Sequence, residues 1–164
     1  MLKQLDELGV ADDTIVVWFH DNGPNGVRWN GGMKGRKGST DEGGVRSPLY
    51  LRWTNGVKAG KTIPTIASVQ DLLPTLCDLA EISREKSKPL DGRSLKSLLT
   101  EDKVSWRERT LVHQWKSKIS VRSQQYRLDQ KGNLFDMVAD PGQRKPIKGQ
   151  PEIVKELSQV MEAH

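Results

Sequence analysis

The sequence contains very little cysteine and no long hydrophobic run. Its 164 residues include one cysteine, Cys77, which excludes an internal disulfide framework and a zinc site built from cysteines. The longest apolar run covers residues 15–19, whereas a membrane-spanning helix needs about 20 apolar residues. The N-terminal segment mixes acidic and basic residues and lacks the apolar stretch of a signal peptide. We therefore expect no membrane-spanning segment and no membrane partner.

Acidic residues are scarce in one part of the chain. The formal net charge is +5, and residues 25–61 contain eight basic residues against two acidic ones. Residues 23–44 also hold eight of the 15 glycines. A basic, glycine-rich loop can bind an anion through backbone N–H groups and added charge, although a solvated basic loop has the same composition. The tryptophans do not alternate with basic residues and no recognition motif is present, so we expect no nucleic-acid partner.

The chain divides into two regions of different character, residues 1–100 and 101–164. In the first region, helical and β-branched apolar segments are typical of an α/β domain. Its predicted elements are a helix over 2–9, a buried parallel strand over Thr14–Phe19, a strand over Pro48–Trp53, helices over 69–82 and Ser94–Leu99, and a charged linker over Ser83–Pro89. In the second, short strands are predicted at Thr110–Trp115, Ile119–Arg122, Gln125–Leu128 and Asn133–Phe135, with a helix from Pro151. The predicted fold is α/β, followed by a small antiparallel sheet with a C-terminal helix.

Asp21 and Asn22 follow the apolar strand directly. Carboxylate and amide oxygens are hard ligands that suit Ca²⁺ or Mg²⁺, and the carboxyl end of a strand is where open α/β sheets place their ligands. The same Asp-Asn-Gly sequence is also a common turn. His20, which precedes the pair, is a candidate acid, base or substrate contact, and a packed histidine is the alternative.

Lys37 lies in the glycine-rich loop, within the segment Lys37–Arg46. Flexible glycine neighbours allow its ammonium group to be directed at an oxyanion, whereas a solvated lysine is the alternative. Glu42 is expected to pair with Arg46 or to hold the loop by hydrogen bonds. Gly43 and Gly44 indicate either a positive φ or a close approach of two backbones.

The segments Thr14–Gly26 and Trp29–Arg46 together resemble the later half of the catalytic domain of sulfatases of the arylsulfatase type. Asp71–Leu76 also resembles that family, as does a later pattern made of Val121-Arg122, Asn133–Asp136 and Asp140–Gly142. The resemblance implies the alkaline-phosphatase-like α/β fold and hydrolysis of sulfate esters. It also implies a hydrated formylglycine nucleophile, made from Cys or Ser, and a divalent cation, usually Ca²⁺. Residues 1–100 would then be the C-terminal portion of the catalytic domain, and 101–164 its small C-terminal α+β subdomain.

The resemblance assigns roles to individual residues. Asp21 and Asn22 match the family's late metal ligands, for Ca²⁺ with Mg²⁺ as the alternative, and Lys37 matches its sulfate-contacting lysine. His20 stands where many members have Ser or Thr, and it is retained as a catalytic candidate. The implied substrate is a sulfate-ester small molecule or a sulfated glycan, and the complete protein is expected to be periplasmic or secreted. The oligomeric state is left open.

The chain departs from the family at the nucleophile. The family motif is Cys or Ser, any residue, Pro or Ala, any residue, Arg. Cys77 is followed by Asp78-Leu79-Ala80-Glu81, which does not fit, so the nucleophile is absent from this chain. We therefore expect a C-terminal fragment of a sulfatase that does not turn over sulfate esters alone. Two alternatives remain open: a non-catalytic remnant that binds anions or Ca²⁺, and a related hydrolase of phosphate or phosphonate esters.

Overall fold

The computed structural model describes residues 1–84 and 88–164. In chain order its elements are α1 (Leu2–Glu7), β1 (Val16–Phe19), α2 (Glu42–Val45), β2 (Leu49–Arg52), a 3₁₀ turn (Val69–Asp71), α3 (Leu72–Leu79), α4 (Lys96–Thr100), β3 (Leu111–Trp115), β4 (Lys118–Arg122), β5 (Tyr126–Asp129), β6 (Leu134–Asp136) and α5 (Pro151–Glu162). No helix in the described part of the chain is long and apolar enough to cross a bilayer. Residues 85–87, within the predicted charged linker, lie outside the described residues.

The described chain forms two compact units that are interleaved in sequence. The first unit contains Met1–Trp18 and Tyr50–Arg107, and the second contains Phe19–Leu49 and Glu108–His164. The glycine-rich loop therefore belongs to the same unit as the C-terminal sheet. The predicted division into domains at residue 100 stays a prediction.

The strands β1 and β2 form a two-stranded sheet, so the predicted strands at Thr14–Phe19 and Pro48–Trp53 are confirmed. The expected burial of the first strand is wrong for this chain. Trp18 is 49% exposed, and its ring lies 5.5 Å from that of Tyr50, centroid to centroid. Within the described residues β1 pairs with β2 alone, and a two-stranded sheet offers too little surface to cover large apolar side chains.

A capping box begins the predicted helix over 69–82. The hydroxyl of Ser68 accepts a hydrogen bond from the N–H of Gln70, while the carboxylate of Asp71 accepts one from the N–H of Ser68 at 2.7 Å. The buried Asp71 also accepts the N–H of Arg93 at 2.8 Å. Thr75 accepts the N–H of Leu95 at 2.9 Å. These bonds fix the segment before α4 against α3.

The second unit is built on a four-stranded antiparallel sheet in the order β3-β4-β5-β6. All four predicted strands and the helix beginning at Pro151 are confirmed. Because side chains alternate between the faces of a sheet, Val121 and its partner Leu128 point to one face. There they form the core together with Leu134 and Leu157 of α5.

The opposite face of this sheet is polar and positions the candidate site. Arg122 of β4 lies opposite Arg127 of β5 in the register of the sheet. Ser120 lies on the same face because it is two residues from Arg122. Arg127 and Ser120 are each 1% exposed. Their burial comes from the glycine-rich loop, whose contacts with this face are described next.

Candidate functional site

The short helix α2 organises the loop between β1 and β2. Gly43 and Gly44 are buried within it. The N–H of Gly23 donates to the carbonyl of Gly44 at 2.9 Å, and a Cβ on Gly23 would collide with the carbonyl oxygen of Gly43. The turn that carries Asp21 and Asn22 therefore packs directly against α2, at a distance that only glycine allows.

The turn that carries Lys37 packs against the same helix. A Cβ on Gly44 would lie 2.7 Å from the carbonyl oxygen of Arg36, and Ser39 N–H donates to that oxygen at 3.0 Å. The N–H of Lys37 donates to the carbonyl of Pro24 at 3.1 Å. The structure thus places Lys37 beside the Asp21–Asn22 turn, with α2 supporting both.

The sequence-predicted side chains lie at the surface of the unit. His20, Asp21 and Lys37 are exposed, and Asn22 is half-buried. The carbonyl of His20 accepts the hydroxyl of Ser47 at 2.7 Å. The carboxylate of Asp21 and the ammonium group of Lys37 are therefore accessible to a ligand from solvent.

The donor chemistry of Asp21 and Asn22 fits a hard cation in part. A carboxylate and an amide supply oxygen ligands, but a selective Ca²⁺ site takes about 6–8 oxygens. Across residues 1–84 and 88–164, no group of three or more His, Cys, Asp or Glu side chains is arranged to hold a metal ion. These two residues can therefore supply part of a coordination shell.

Glu42 connects the loop to the C-terminal sheet. Its carboxylate oxygen Oε2 accepts Nη2 of Arg127 at 2.7 Å and lies 3.6 Å from Nε of Arg122. Oε1 lies 3.6 Å from Nη1 of Arg46, as the sequence predicted. Glu42 is 4% exposed and Arg127 is 1% exposed. The ion pair is therefore shielded from the solvent that weakens surface pairs.

Arg127 also contacts the loop before α2. Its Nη1 donates to the carbonyl of Thr40 at 2.8 Å and to the hydroxyl of Ser120 at 2.9 Å. That hydroxyl donates to the same Thr40 carbonyl at 2.7 Å. Further along β4, Nζ of Lys118 donates to the carbonyl of Gly38 at 2.9 Å. The sheet thus holds the loop immediately after Lys37.

A second connection runs through Gln143, which is fully buried. Its Oε1 accepts the N–H of Glu42 and its Nε2 donates to Asp41, each at 2.8 Å. Asp41 also pairs with Lys34 at 3.0 Å. Gln143 directly follows the Asp140–Gly142 pattern, which drew attention to this segment but gave no sign of its contact with the loop.

Burial lowers the pKa values of three basic residues on the polar face of the sheet. It lowers the pKa of Arg127, and Glu42 opposes that shift. It also lowers the pKa of Arg122 to about 10, again against the effect of Glu42. Burial and the charges of Arg127 and Arg122 lower the pKa of His113 to about 3. His113 is therefore neutral at pH 7 and part of the face that holds the loop.

Comparisons with known proteins identify the family of this chain. The family model described as Sulfatase matches residues 1–82. Steryl-sulfatase of Mus musculus is 35% identical, over 69% of this chain and 20% of its own length. N-acetylglucosamine-6-O-sulfatase of Bacteroides thetaiotaomicron is 28% identical, over 99% of this chain and 31% of its own length. The chain thus spans less than a third of either relative.

A solved structure shows the same fold over nearly the whole chain. It is a Bacteroides thetaiotaomicron sulfatase described under the metabolism of multiple glycosaminoglycans. The two chains share 26% sequence identity with a TM-score of 0.79, and the match covers 99% of this chain and 41% of that one. The α/β prediction, with its small sheet and C-terminal helix, is confirmed.

Proposed function

The chain belongs to the sulfatase family, and from that premise we propose that it supplies the charge-neutralising half of a sulfate-ester hydrolase site. In this proposal Asp21 and Asn22 hold a divalent cation, and Lys37 binds the oxygens of the sulfate group. His20, at the surface beside Asp21, contacts the substrate.

One observation supports the proposal above the others: the two turns that carry these residues pack against one short helix. Gly23 N–H bonds to Gly44, and Lys37 N–H bonds to Pro24 in the first turn. The turns are therefore fixed to each other by backbone contacts rather than by mobile side chains. A sulfate group has several anionic oxygens, and a cation held on one turn together with an ammonium group carried by the other could bind two of them at once.

The cation is Ca²⁺, with Mg²⁺ as the alternative. When bound, it would neutralise charge on the sulfate and on the oxygen that leaves. Asp21 and Asn22 would hold it through side-chain oxygens, with the remaining ligands supplied from outside this pair. Lys37 would stabilise charge that develops on the reacting group, an effect that is strongest when the charged group is already in place.

The nucleophile is not among the residues of this chain. Cys77 is half-buried on α3, and its neighbours do not form a formylglycine motif. The proposed role of the chain is therefore binding and charge stabilisation. On its own it is proposed to be inactive toward sulfate esters.

The proposed substrate is a sulfate-ester small molecule or a sulfated glycan. The names of the two relatives include both types, a steryl sulfatase and an N-acetylglucosamine-6-O-sulfatase. An extracytoplasmic location of the complete protein, periplasmic or secreted, would fit such substrates and stays part of the proposal.

The test compares two exposed aspartates, Asp21 and Asp13, in the complete protein. Asp21→Ala should lower the bound calcium measured by elemental analysis and abolish calcium-dependent hydrolysis of an aryl sulfate. Asp13→Ala should change neither, because Asp13 precedes β1 in the sequence and is not part of the loop. Unchanged calcium content and activity in Asp21→Ala would refute the metal assignment.

A further inference from the structure

We propose that Arg127 is a positioning residue for Lys37, although 90 positions separate them in the sequence. The C-terminal sheet would then be part of the apparatus that aligns the sulfate-binding lysine. This inference rests on the proposed function, in which Lys37 contacts the sulfate.

The first step is the set of contacts that Arg127 makes with the loop. Its guanidinium group bonds to the side chain of Glu42 at 2.7 Å and to the backbone carbonyl of Thr40 at 2.8 Å. These two points lie on either side of Asp41, at the start of α2. The planar guanidinium group has several donors in a fixed fork, so it can hold both points in one geometry.

The second step is the contact between α2 and the turn that carries Lys37. Gly44 packs on the carbonyl of Arg36, and its N–H bonds to Asp41 at 2.9 Å. The N–H of Gly43 bonds to the carbonyl of Lys34 at 2.7 Å. There are no side chains on these glycines to absorb a movement. A shift of α2 is therefore transmitted to the backbone of Lys37.

The third step is the cost of losing Arg127. Glu42 is buried, and removal of its main partner leaves a buried charge that is only partly compensated. Arg122 and Arg46 lie farther from Glu42, at 3.6 Å each. We expect α2 to move toward these partners or toward solvent. A displacement of about 1 Å in a catalytic group can reduce the rate roughly 10²-fold.

A double-mutant cycle in the complete protein tests whether Arg127 acts through Lys37. The four proteins are the parent, Arg127→Met, Lys37→Met and the double variant, and the measured quantity is kcat/KM for an aryl sulfate. We expect Arg127→Met to reduce kcat/KM by about 10–10²-fold in the parent. In the Lys37→Met background the same change should cost less than about 3-fold, because the group that it positions is already gone. Arg127→Lys, which keeps one donor group, should restore part of the loss.

The cycle separates failure of this inference from failure of the proposed function. If Lys37→Met leaves kcat/KM unchanged, the proposed function fails. If Lys37→Met is impaired but Arg127→Met costs the same in both backgrounds, the proposed function stands and the positioning role is refuted. The control is Val121→Ala on the apolar face of the sheet. It should lower the unfolding temperature without changing kcat/KM, which shows the effect of lost stability alone.

Amide hydrogen exchange gives a readout that does not depend on activity. In Arg127→Met, the amides of Lys37, Gly43 and Gly44 should exchange at least about 10-fold faster, because local opening sets their protection. Amides of β4 and β5 should keep their protection. Equal exchange of the loop amides in parent and variant would overturn the inference. Should Arg127→Met not fold, Glu42→Gln replaces it in both experiments, since it removes the same ion pair with a side chain of the same shape.

Discussion

Nη2 of Arg127 lies 2.7 Å from Oε2 of Glu42, across 85 positions of sequence. This buried ion pair joins the polar face of the C-terminal sheet to the helix α2. Because the turns that carry Asp21 and Lys37 both pack on α2, the candidate site depends on contacts made by distant residues. The part of the glycine-rich loop around α2 is thus held in the second unit by these contacts.

Replacing Gly23 with alanine should displace the Asp21–Asn22 turn from α2. The new Cβ would collide with the carbonyl oxygen of Gly43, and backbone cannot yield as a side chain end can. We expect a loss of about 1–3 kcal/mol in the free energy of unfolding and weaker calcium binding. Gly26→Ala is the matched control, because its Cβ would meet nothing within 4 Å. Equal stability of the two variants in urea unfolding would contradict the packing argument.

The 164-residue chain alone should not hydrolyse an aryl sulfate, with or without Ca²⁺. It lacks a formylglycine motif, and two protein oxygens are too few for a selective calcium site. Exposed aromatic residues on the two-stranded sheet, Trp18 at 49% and Tyr50 at 64%, should also favour self-association. A hydrolysis assay beside a solution-size measurement checks both statements. Calcium-dependent turnover by a monomer would show that the chain does contain a nucleophile.

The stability of the chain should fall in acid partly because of His113. Its pKa in the folded state is about 3 against 6.5 in the unfolded chain, so the unfolded state binds more protons between these values. The neutral form therefore contributes its full stability above pH 6.5, and this contribution is lost as the pH falls toward 3, at up to about 1.4 kcal/mol per pH unit. His113→Gln should reduce this slope in urea unfolding measured at several pH values. If the free energy of unfolding changes with pH equally in parent and variant, the pKa of His113 is not lowered in the folded state.

Much of the C-terminal sheet could be predicted from the sequence, because short strand-like segments follow one another closely and β4 and β5 alternate apolar and polar residues. Val121 and Leu128 mark one face, and Arg122 and Arg127 mark the other. The reason for a polar face was not predictable. Its partner is a loop some 80 positions earlier, and hydrophobic alternation carries no information about which distant segment covers a polar surface.

The loop itself was predicted less well. Glu42 was expected to hold the loop or to pair with Arg46, and it does both, but the contact with Arg127 was missed. The helix α2 was also missed, because Gly43 and Gly44 are poor helix formers. Of the two explanations for these glycines, close backbone approach is confirmed, and neither has a positive φ. The prediction that β1 is buried was wrong, because the burial of a strand depends on its neighbouring strands, and the strand's own residues do not specify those neighbours.

The rate of sulfate-ester hydrolysis by Lys37→Met tests the central claim most directly. The measurement is kcat/KM for an aryl sulfate in the complete protein, with Lys131→Met as the control because Lys131 is an exposed lysine in the β5–β6 turn. If Lys37 binds the sulfate, its loss should reduce kcat/KM by about 10²–10³-fold, while Lys131→Met matches the parent. A Lys37→Met protein within a few-fold of the parent would contradict the account, because Lys37 would then be an ordinary surface lysine.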